Sequence, residues 1–415
     1  MKILQINKFF FLKGGSERYF FDLSELLTNK GHQVIVWSTK HPQNFSFPSQ
    51  ELFASYNDFS EKESLFKKLF KAKRIFWNKE AGKKLEKIIK IEKPDIAHLH
   101  NISTHFSPSI IFVLKKYNIP IVMTLHDYKL FCPNYKFFSN GEVCYDCLKN
   151  KNYNSCLSKK CIKNSRIQSW GGYLEARFQN DFLKIADKID VFLSPSLFMK
   201  RKAIEWGIDK EKIIHLPNFI EKDFGKGITA LDKKLPYFLY FGRLSHEKGV
   251  ELLIESFSEI KEQLPDWQLK IVGNGPERNK LENFAKGEKQ IEFLGEKRGN
   301  SKELKQIIAN ANLIVIPSLW PENFPYSVLE SFALSKPVIA AKNGGLTELI
   351  KDRQTGLLFK PGNKDDLKEK LIWSNDYKKE LIQMGKMAKK EVLDKCNSEE
   401  HYSKLIKIYE RIENN

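Results

Sequence analysis

Short apolar runs alternate with longer amphipathic stretches along this chain, in two separate series. The first series comprises KILQIN (2–7), QVIVWS (33–38), DIAHLH (95–100), IPIVMTLHD (119–127) and DVFLSPS (190–196). The second comprises YFLYFGR (237–243), QLKIVG (268–273), IEFLGE (291–296), NLIVIPS (312–318), KPVIAA (336–341) and GLLFKP (356–361). Near-continuous apolar strands separated by helices signify parallel sheets covered on both faces. The restart follows GKGITALDKKLP (225–236), a polar stretch ending in Pro that reads as a linker.

The expected fold is therefore α/β, with two Rossmann-like doubly wound domains facing a central cleft. We expect an acceptor-side domain over 1–224, a nucleotide-sugar-binding domain over 225–395, and a final helix over 396–415 that returns to the first domain. Ligands of such sheets sit beyond the carboxyl ends of the strands, so candidate residues are sought just after each strand.

Three loops qualify. Lys13-Gly14-Gly15-Ser16 follows the first strand and opens a helical pattern that runs to about Asn29, with Gly31 as the stop. Glycines there let backbone N–H groups approach an anion at a helix N-terminus. Gly242-Arg243-Leu244-Ser245-His246-Glu247-Lys248-Gly249 brings a planar guanidinium fork and an ammonium point charge into one glycine-bounded loop, suited to a diphosphate. In Pro317–Glu330, Pro325 fits the first turn of a helix. Glu322 then lies in the preceding loop and Glu330 about two turns in, so one acid can face a sugar and the other a ribose diol. The bland readings are a plain Gly-Gly turn, a solvated basic loop, and acids favoured by a helix dipole. Neither glycine loop is G-x-G-x-x-G, because Gly273-Asn274-Gly275-Pro276-Glu277-Arg278 lacks the third glycine, which disfavours a nicotinamide oxidoreductase.

In order along the chain, KGGSERY, LHDYKLFCPN, LPNFI, GRLSHEKG, IVGNGPE, PSLWPENFPYSVLE and AKNGGLTELI resemble glycosyltransferase family 4. The resemblance spans nearly all the chain. It implies a retaining GT-B glycosyltransferase with a nucleotide-diphosphate sugar as donor. It also implies that Arg243 and Lys248 bind the pyrophosphate, Glu330 the ribose, and that Glu322 stands beside the donor sugar. Gly14, Gly15, Gly273, Asn274, Ser327 and Val328 are implied donor contacts, and His126 the active-site histidine. Asn218 matches the family's Pro-Asn motif, but Phe219 stands where glycine is common, a departure that bears on the local turn. The implied acceptor is a polysaccharide, a lipid-linked sugar or another glycan of the cell surface. The rival readings are a nucleotide-sugar epimerase or hydrolase on the same fold, and a zinc-containing nucleic-acid-binding protein.

No Asp-x-Asp triplet occurs, so the carboxylate pair that holds a divalent ion in many other glycosyltransferases is missing. We expect no cofactor in catalysis, with cationic side chains taking the metal's place. Cys132, Cys144, Cys147, Cys156 and Cys161 cluster in an insertion over 129–165. Cys144-x2-Cys147 suits two ligands of a structural zinc, completed by Cys132 with Cys161, or with Cys156. The plain alternative is a set of reduced thiols.

The chain carries 69 Lys+Arg against 51 Asp+Glu, a net of +18. Residues 61–93 hold 12 cations and 5 acids, and residues 148–174 hold 6 cations and no acid. Such zones are solvated faces or anion-facing surfaces. Lys67, Lys68, Lys71, Lys73 and Arg74 interleave with Phe66, Leu69, Phe70, Ile75 and Phe76, as in a helix lying on an anionic membrane. No run approaches the ~20 apolar residues of a spanning helix, and Lys8 and Lys13 interrupt the start. We expect a cytoplasmic enzyme, peripheral at the inner face of the membrane, with no nucleic-acid partner.

Overall fold

The computed structural model describes residues 1–48, 50–56, 73–231 and 235–414. The chain divides into two units. The first comprises Met1–Asn140, Cys144–Leu216 and Tyr402–Asn415, and the second Gly141–Val143 and Pro217–His401. The boundary expected after residue 224 thus falls at Leu216, and the segment assigned to the first unit begins at Tyr402 rather than 396.

The first unit holds one six-stranded parallel sheet. Its strands are β1 (Lys2–Ile6), β2 (Gln33–Trp37), β3 (Ile96–Leu99), β4 (Ile121–Thr124), β5 (Val191–Ser194) and β6 (Ile213–His215), in the order β2-β1-β3-β4-β5-β6. Five of these are apolar runs read from the sequence. β6 escaped that reading because it is a three-residue edge strand of which only Ile213 is fully buried.

Helix α1 (Gly15–Asn29) buries Tyr19, Phe20, Leu23, Leu26 and Leu27 on one side, and Gly31 ends it at φ 85°. Helix α2 (Lys79–Glu92) is capped by Asn78, whose side chain accepts from the Ala81 N–H at 3.1 Å. Helices α3 (Ser109–Lys116), α4 (Arg166–Ala176) and α5 (Leu197–Trp206) follow, and a wider helical turn, Arg177–Phe182, extends α4. Since all strands run one way, residues just after β1, β3 and β4 gather at one edge of the sheet.

Only Lys73–Phe76 of the basic amphipathic stretch falls among the described residues. There Arg74 pairs with Glu80 at 2.7 Å. Lys67, Lys68 and Lys71, with the apolar residues beside them, lie outside the described residues.

The second unit repeats the architecture. Its strands are β7 (Tyr237–Phe241), β8 (Gln268–Val272), β9 (Ile291–Gly295), β10 (Leu313–Ile316), β11 (Val338–Ala341) and β12 (Gly356–Phe359). They are parallel in the order β9-β8-β7-β10-β11-β12, the doubly wound arrangement with its switch between β7 and β10. One core joins them to α6 (Val250–Ile260), with the Phe238 and Trp267 rings stacked at 4.2 Å.

Candidate functional site

The switch point of the second unit is built by glycines that sterics require. After β7, Gly242 has φ 152°, and after β8, Gly273 has φ 145°. A Cβ on Gly273 would lie 1.8 Å from the Gly242 carbonyl oxygen, and one on Gly275 would lie 2.2 Å from that of Leu244. The two loops are laced together: the Gly242 N–H donates to Val272 O at 3.0 Å and the Leu244 N–H to Asn274 O at 2.9 Å. Gly273 is therefore a packing glycine, and it fixes the loop that carries Arg243. The Tyr240 hydroxyl donates to Arg243 O at 2.7 Å, while the Arg243 side chain is exposed. Asn274 is also exposed, and its Oδ1 accepts from the Gly275 N–H at 2.8 Å.

Lys248 ends a single helical turn, His246–Lys248, and Gly249 follows at φ 69°. A Cβ on Gly249 would stand 2.0 Å from the Pro317 carbonyl oxygen, so this loop lies directly on the end of β10. The contact delivers Lys248 to Glu322. Lys248 Nζ is 2.7 Å from Glu322 Oε1, and the same oxygen accepts from the Ser318 hydroxyl at 2.6 Å. The Glu322 side chain is 6% exposed and that of Lys248 24%. Lys248 Nζ also lies 5.0 Å from the Trp320 ring. Gly344, at φ 59°, presses on Glu322 from the other side, where a Cβ would be 2.3 Å from the Glu322 carbonyl oxygen. The Gly345 N–H donates to that oxygen at 2.7 Å.

Helix α7 (Tyr326–Ala333) begins after Pro325. Ser327 and Val328 occupy its first turn and buried Glu330 its second. The Asn218 side chain donates to Phe324 O at 3.0 Å, so the Pro-Asn motif braces the chain ahead of α7. Phe219 is fully buried against the His401 ring, 4.6 Å away, and is absent from the positive-φ residues, so no glycine is needed there.

In the first unit, Gly14 and Gly15 lie exposed at the start of α1. Gly14 is extended, and a Cβ on it would meet Glu17 Oε2 at an ordinary 3.7 Å, so neither sterics nor φ demands glycine there. Burial raises the affinity of the Glu17 carboxyl for its proton, opposed by the charge of Lys8.

His126, two residues past β4, tops a stack of imidazoles. Its Nε2 is 3.0 Å from His100 Nδ1, and His100 Nε2 is 2.6 Å from Gln5 Oε1. The His98 ring stacks on His100 at 4.4 Å, with its nitrogens 2.6 Å from the Tyr409 hydroxyl and 2.7 Å from that of Thr124. Burial, then the Lys8 charge, pushes His126 down to about 3. Burial, then His98 and His126, pushes His100 well below its ordinary value. Both rings are accordingly neutral at pH 7.

The five clustered cysteines are all free thiols. Cys147 and Cys156 belong to a small core with Tyr153 and Ala176. Burial pushes Cys132 and Cys147 each up to about 12, and Cys161 upward through its contact with Cys156. The Cys156 and Cys161 sulfurs are 2.8 Å apart, closer than the roughly 3.8 Å between two thiolates on one tetrahedral zinc. Among the described residues, only His246, Glu251 and Glu277 bring three such ligand atoms within 4.8 Å of one another. Lys280 already pairs with Glu251 there, at 2.6 Å. The thiols, as set here, do not form a tetrahedron.

The family model described as glycosyltransferase family 4 matches residues 13–224, half of the chain, and that of glycosyl transferases group 1 matches 221–391. The chain belongs to glycosyltransferase family 4. It is a glycosyltransferase of the GT-B fold. An uncharacterized glycosyltransferase of Methanocaldococcus jannaschii is 36% identical over 164 residues, which cover 38% of this chain and 44% of that protein. A second from the same organism is 25% identical over 396 residues, covering 93% of this chain and 92% of that protein. HepE of Anabaena, solved with UDP-glucose, has the same fold, with a TM-score of 0.66 at 17% identity over 99% of this chain and 100% of that one.

Sequence reasoning brought Lys248 and Glu322 into one region but gave them separate duties, whereas they form one ion pair. It missed Ser318, whose only signal was its place at the end of an apolar strand. It also missed His98 and His100, although their alternation in HLH sets both on one face of β3. Tyr409 carried no signal at all.

Proposed function

We propose that this family 4 enzyme transfers a sugar, with retention of configuration, from a nucleoside-diphosphate sugar to a glycan acceptor, without a metal ion. The observation that carries this reading is the buried Glu322 carboxylate held by Lys248 and Ser318, next to a glycine-built loop that leaves Arg243 exposed. Donor complexes of HepE with UDP-glucose support the donor class.

When the anomeric bond breaks, its electron pair goes to the diphosphate oxygen and the sugar ring becomes cationic. Arg243 takes the growing charge on the diphosphate through its fork, and Lys248 takes part of it as a point charge. Glu322 offsets the positive ring. Lys248 is paired with Glu322 at 2.7 Å, so one cation can serve both the departing diphosphate and the carboxylate. Glu330 accepts from the ribose hydroxyls, and Gly14 and Gly15 offer backbone N–H groups to the phosphates. His126, in the first unit, is a neutral imidazole able to hydrogen-bond a hydroxyl group. The acceptor hydroxyl attacks from the face the diphosphate leaves, and its proton goes to the departing phosphate oxygen.

The acceptor class we propose is a polysaccharide or lipid-linked glycan, used in the cytoplasm at the inner membrane face. A thermal-shift screen of UDP-, GDP- and ADP-sugars tests the donor claim, since ligand at 100 times its dissociation constant adds about 2.7 kcal/mol. No shift with any of them, in the presence of EDTA, would reject the reading.

Structural zinc in the insertion is a separate proposal. Cys144 and Cys147, with Cys132 and either Cys161 or Cys156, would have to reorient to close on one ion. Metal analysis of purified chain decides it, with one zinc per chain in favour and none against.

A further inference from the structure

The segment Arg166–Phe182 is a helix turned inside out. Its inward residues are small or polar: Ser169, Gly172, Glu175, Ala176 and Gln179. Its outward residues set three large apolar side chains, Ile167 83% exposed, Trp170 57% and Phe182 76%, among exposed Arg166, Gln168, Arg177 and Asp181. Ordinary helices of globular domains do the reverse.

The inner side is chemically committed. Ser169 Oγ accepts from the Ile162 N–H at 3.1 Å, and Glu175 is paired with Lys129 at 2.8 Å and accepts from Gln179 at 3.2 Å. Asn180 donates to the Tyr153 hydroxyl at 2.8 Å. Rotating the helix to hide its apolar residues would break these bonds and leave the largely buried Lys129 without its carboxylate. The outward face is thus fixed by the fold.

The charge around this face selects its occupant. Residues 148–184 carry eight Lys or Arg and two acids. Glu175 is one of the acids and is buried against Lys129, and Asp181 is the other and pairs with Arg177 at 3.0 Å. Lys163, Arg166 and Lys184 are exposed beside the apolar residues. Lysine is depleted from protein–protein interfaces, whereas apolar side chains with a tryptophan, flanked by lysine and arginine, suit the headgroup boundary of an anionic bilayer. Among the described residues, no helix is long and apolar enough to cross a membrane, so the contact would be one of lying on the surface.

We propose that Ile167, Trp170 and Phe182 insert into an anionic membrane surface, with the surrounding cations on the lipid headgroups. This rests on the surface of the first unit alone and stands or falls apart from the donor reading. The test is flotation of the full chain with vesicles of phosphatidylglycerol and phosphatidylcholine, against vesicles of phosphatidylcholine only. The wild type should bind the anionic vesicles, and less so as salt is raised. The triple variant Ile167→Ser, Trp170→Ser, Phe182→Ser should lose more than about tenfold in partition coefficient at an unchanged melting temperature. Lys163→Glu with Arg166→Glu should weaken binding in low salt only. Equal binding by the triple variant would overturn the proposal, as would no binding to anionic vesicles at low salt. A concentration-dependent dimer abolished by the same substitutions would overturn it in favour of a second copy of this chain.

Discussion

Lys248 Nζ stands 2.7 Å from Glu322 Oε1, and the two side chains are unequally exposed, at 24% and 6%. The cation can swing to water and the carboxylate cannot. Removing each partner therefore has different consequences, although the bond is the same.

Lys248→Met should strand a buried carboxylate and cost about 2–3 kcal/mol in chemical denaturation. Glu322→Gln keeps the acceptor for Ser318, lets Lys248 turn outward, and should cost about 1 kcal/mol or less. Turnover in Glu322→Gln should nevertheless drop by at least about 100-fold. Near-normal turnover in that variant would show that the carboxylate has been misassigned.

The glycines divide into two groups. Gly249→Ala and Gly344→Ala each drive a Cβ into a backbone carbonyl at positive φ, so each should destabilise by more than about 2 kcal/mol and lose activity. Gly14→Ala meets only an ordinary contact and should change stability by about 0.5 kcal/mol or less. If the amides of that loop bind phosphate, its signature should be a raised KM for donor without a change in melting temperature.

Acid should act through the histidine stack. His126 is held neutral down to about 3 when folded, below its unfolded value near 6.5. The unfolded chain therefore binds the proton first. The stability this group contributes is complete above about pH 6.5 and falls as pH drops from 6.5 toward 3, by at most about 1.4 kcal/mol per pH unit. The pH dependence of urea unfolding over that window should be shallower for His126→Asn. A slope unchanged by the substitution would mean that the imidazole is not held neutral. Because the ring does not titrate between pH 6.5 and 8, it should add no inflection to turnover there.

Tyr409→Phe should be costly despite its distance in sequence. It removes the hydroxyl from His98 Nδ1 in a fully buried place, a loss of about 1–3 kcal/mol. Through the stacked His98 and His100 rings, the variant should also disturb His126. Two-dimensional histidine nitrogen spectra that match the wild type at His126 would break that link.

What the sequence could reveal was set by locality. The strands were legible because sheets covered on both faces need continuous apolar runs, and among the described residues eleven of the twelve strands of the two six-stranded sheets showed one. β6 did not, being three residues at an edge. The glycine loops were legible as turns, but which glycines are sterically required was not. That depends on neighbours such as Pro317 for Gly249 and Gly242 for Gly273, which only tertiary packing supplies. Glu322 was legible as a candidate acid, but its burial and its partner, 74 residues earlier, were not. The outward face of Arg166–Phe182 was hidden for a similar reason. Its polar inner residues look like an exposed side until Lys129, Tyr153 and Ile162 are seen to satisfy them.

In the proposed mechanism Arg243 and Lys248 hold the diphosphate of the donor with no divalent ion. Titration calorimetry of nucleoside diphosphates (UDP, GDP and ADP), in excess EDTA, tests it most directly on Arg243→Met, where the exposed side chain can be changed without stranding Glu322. The wild type should bind at least one of them in EDTA, and the variant should bind it about 10–100-fold more weakly. Equal affinity in the variant, or wild-type binding that vanishes with EDTA and returns with magnesium, would contradict it.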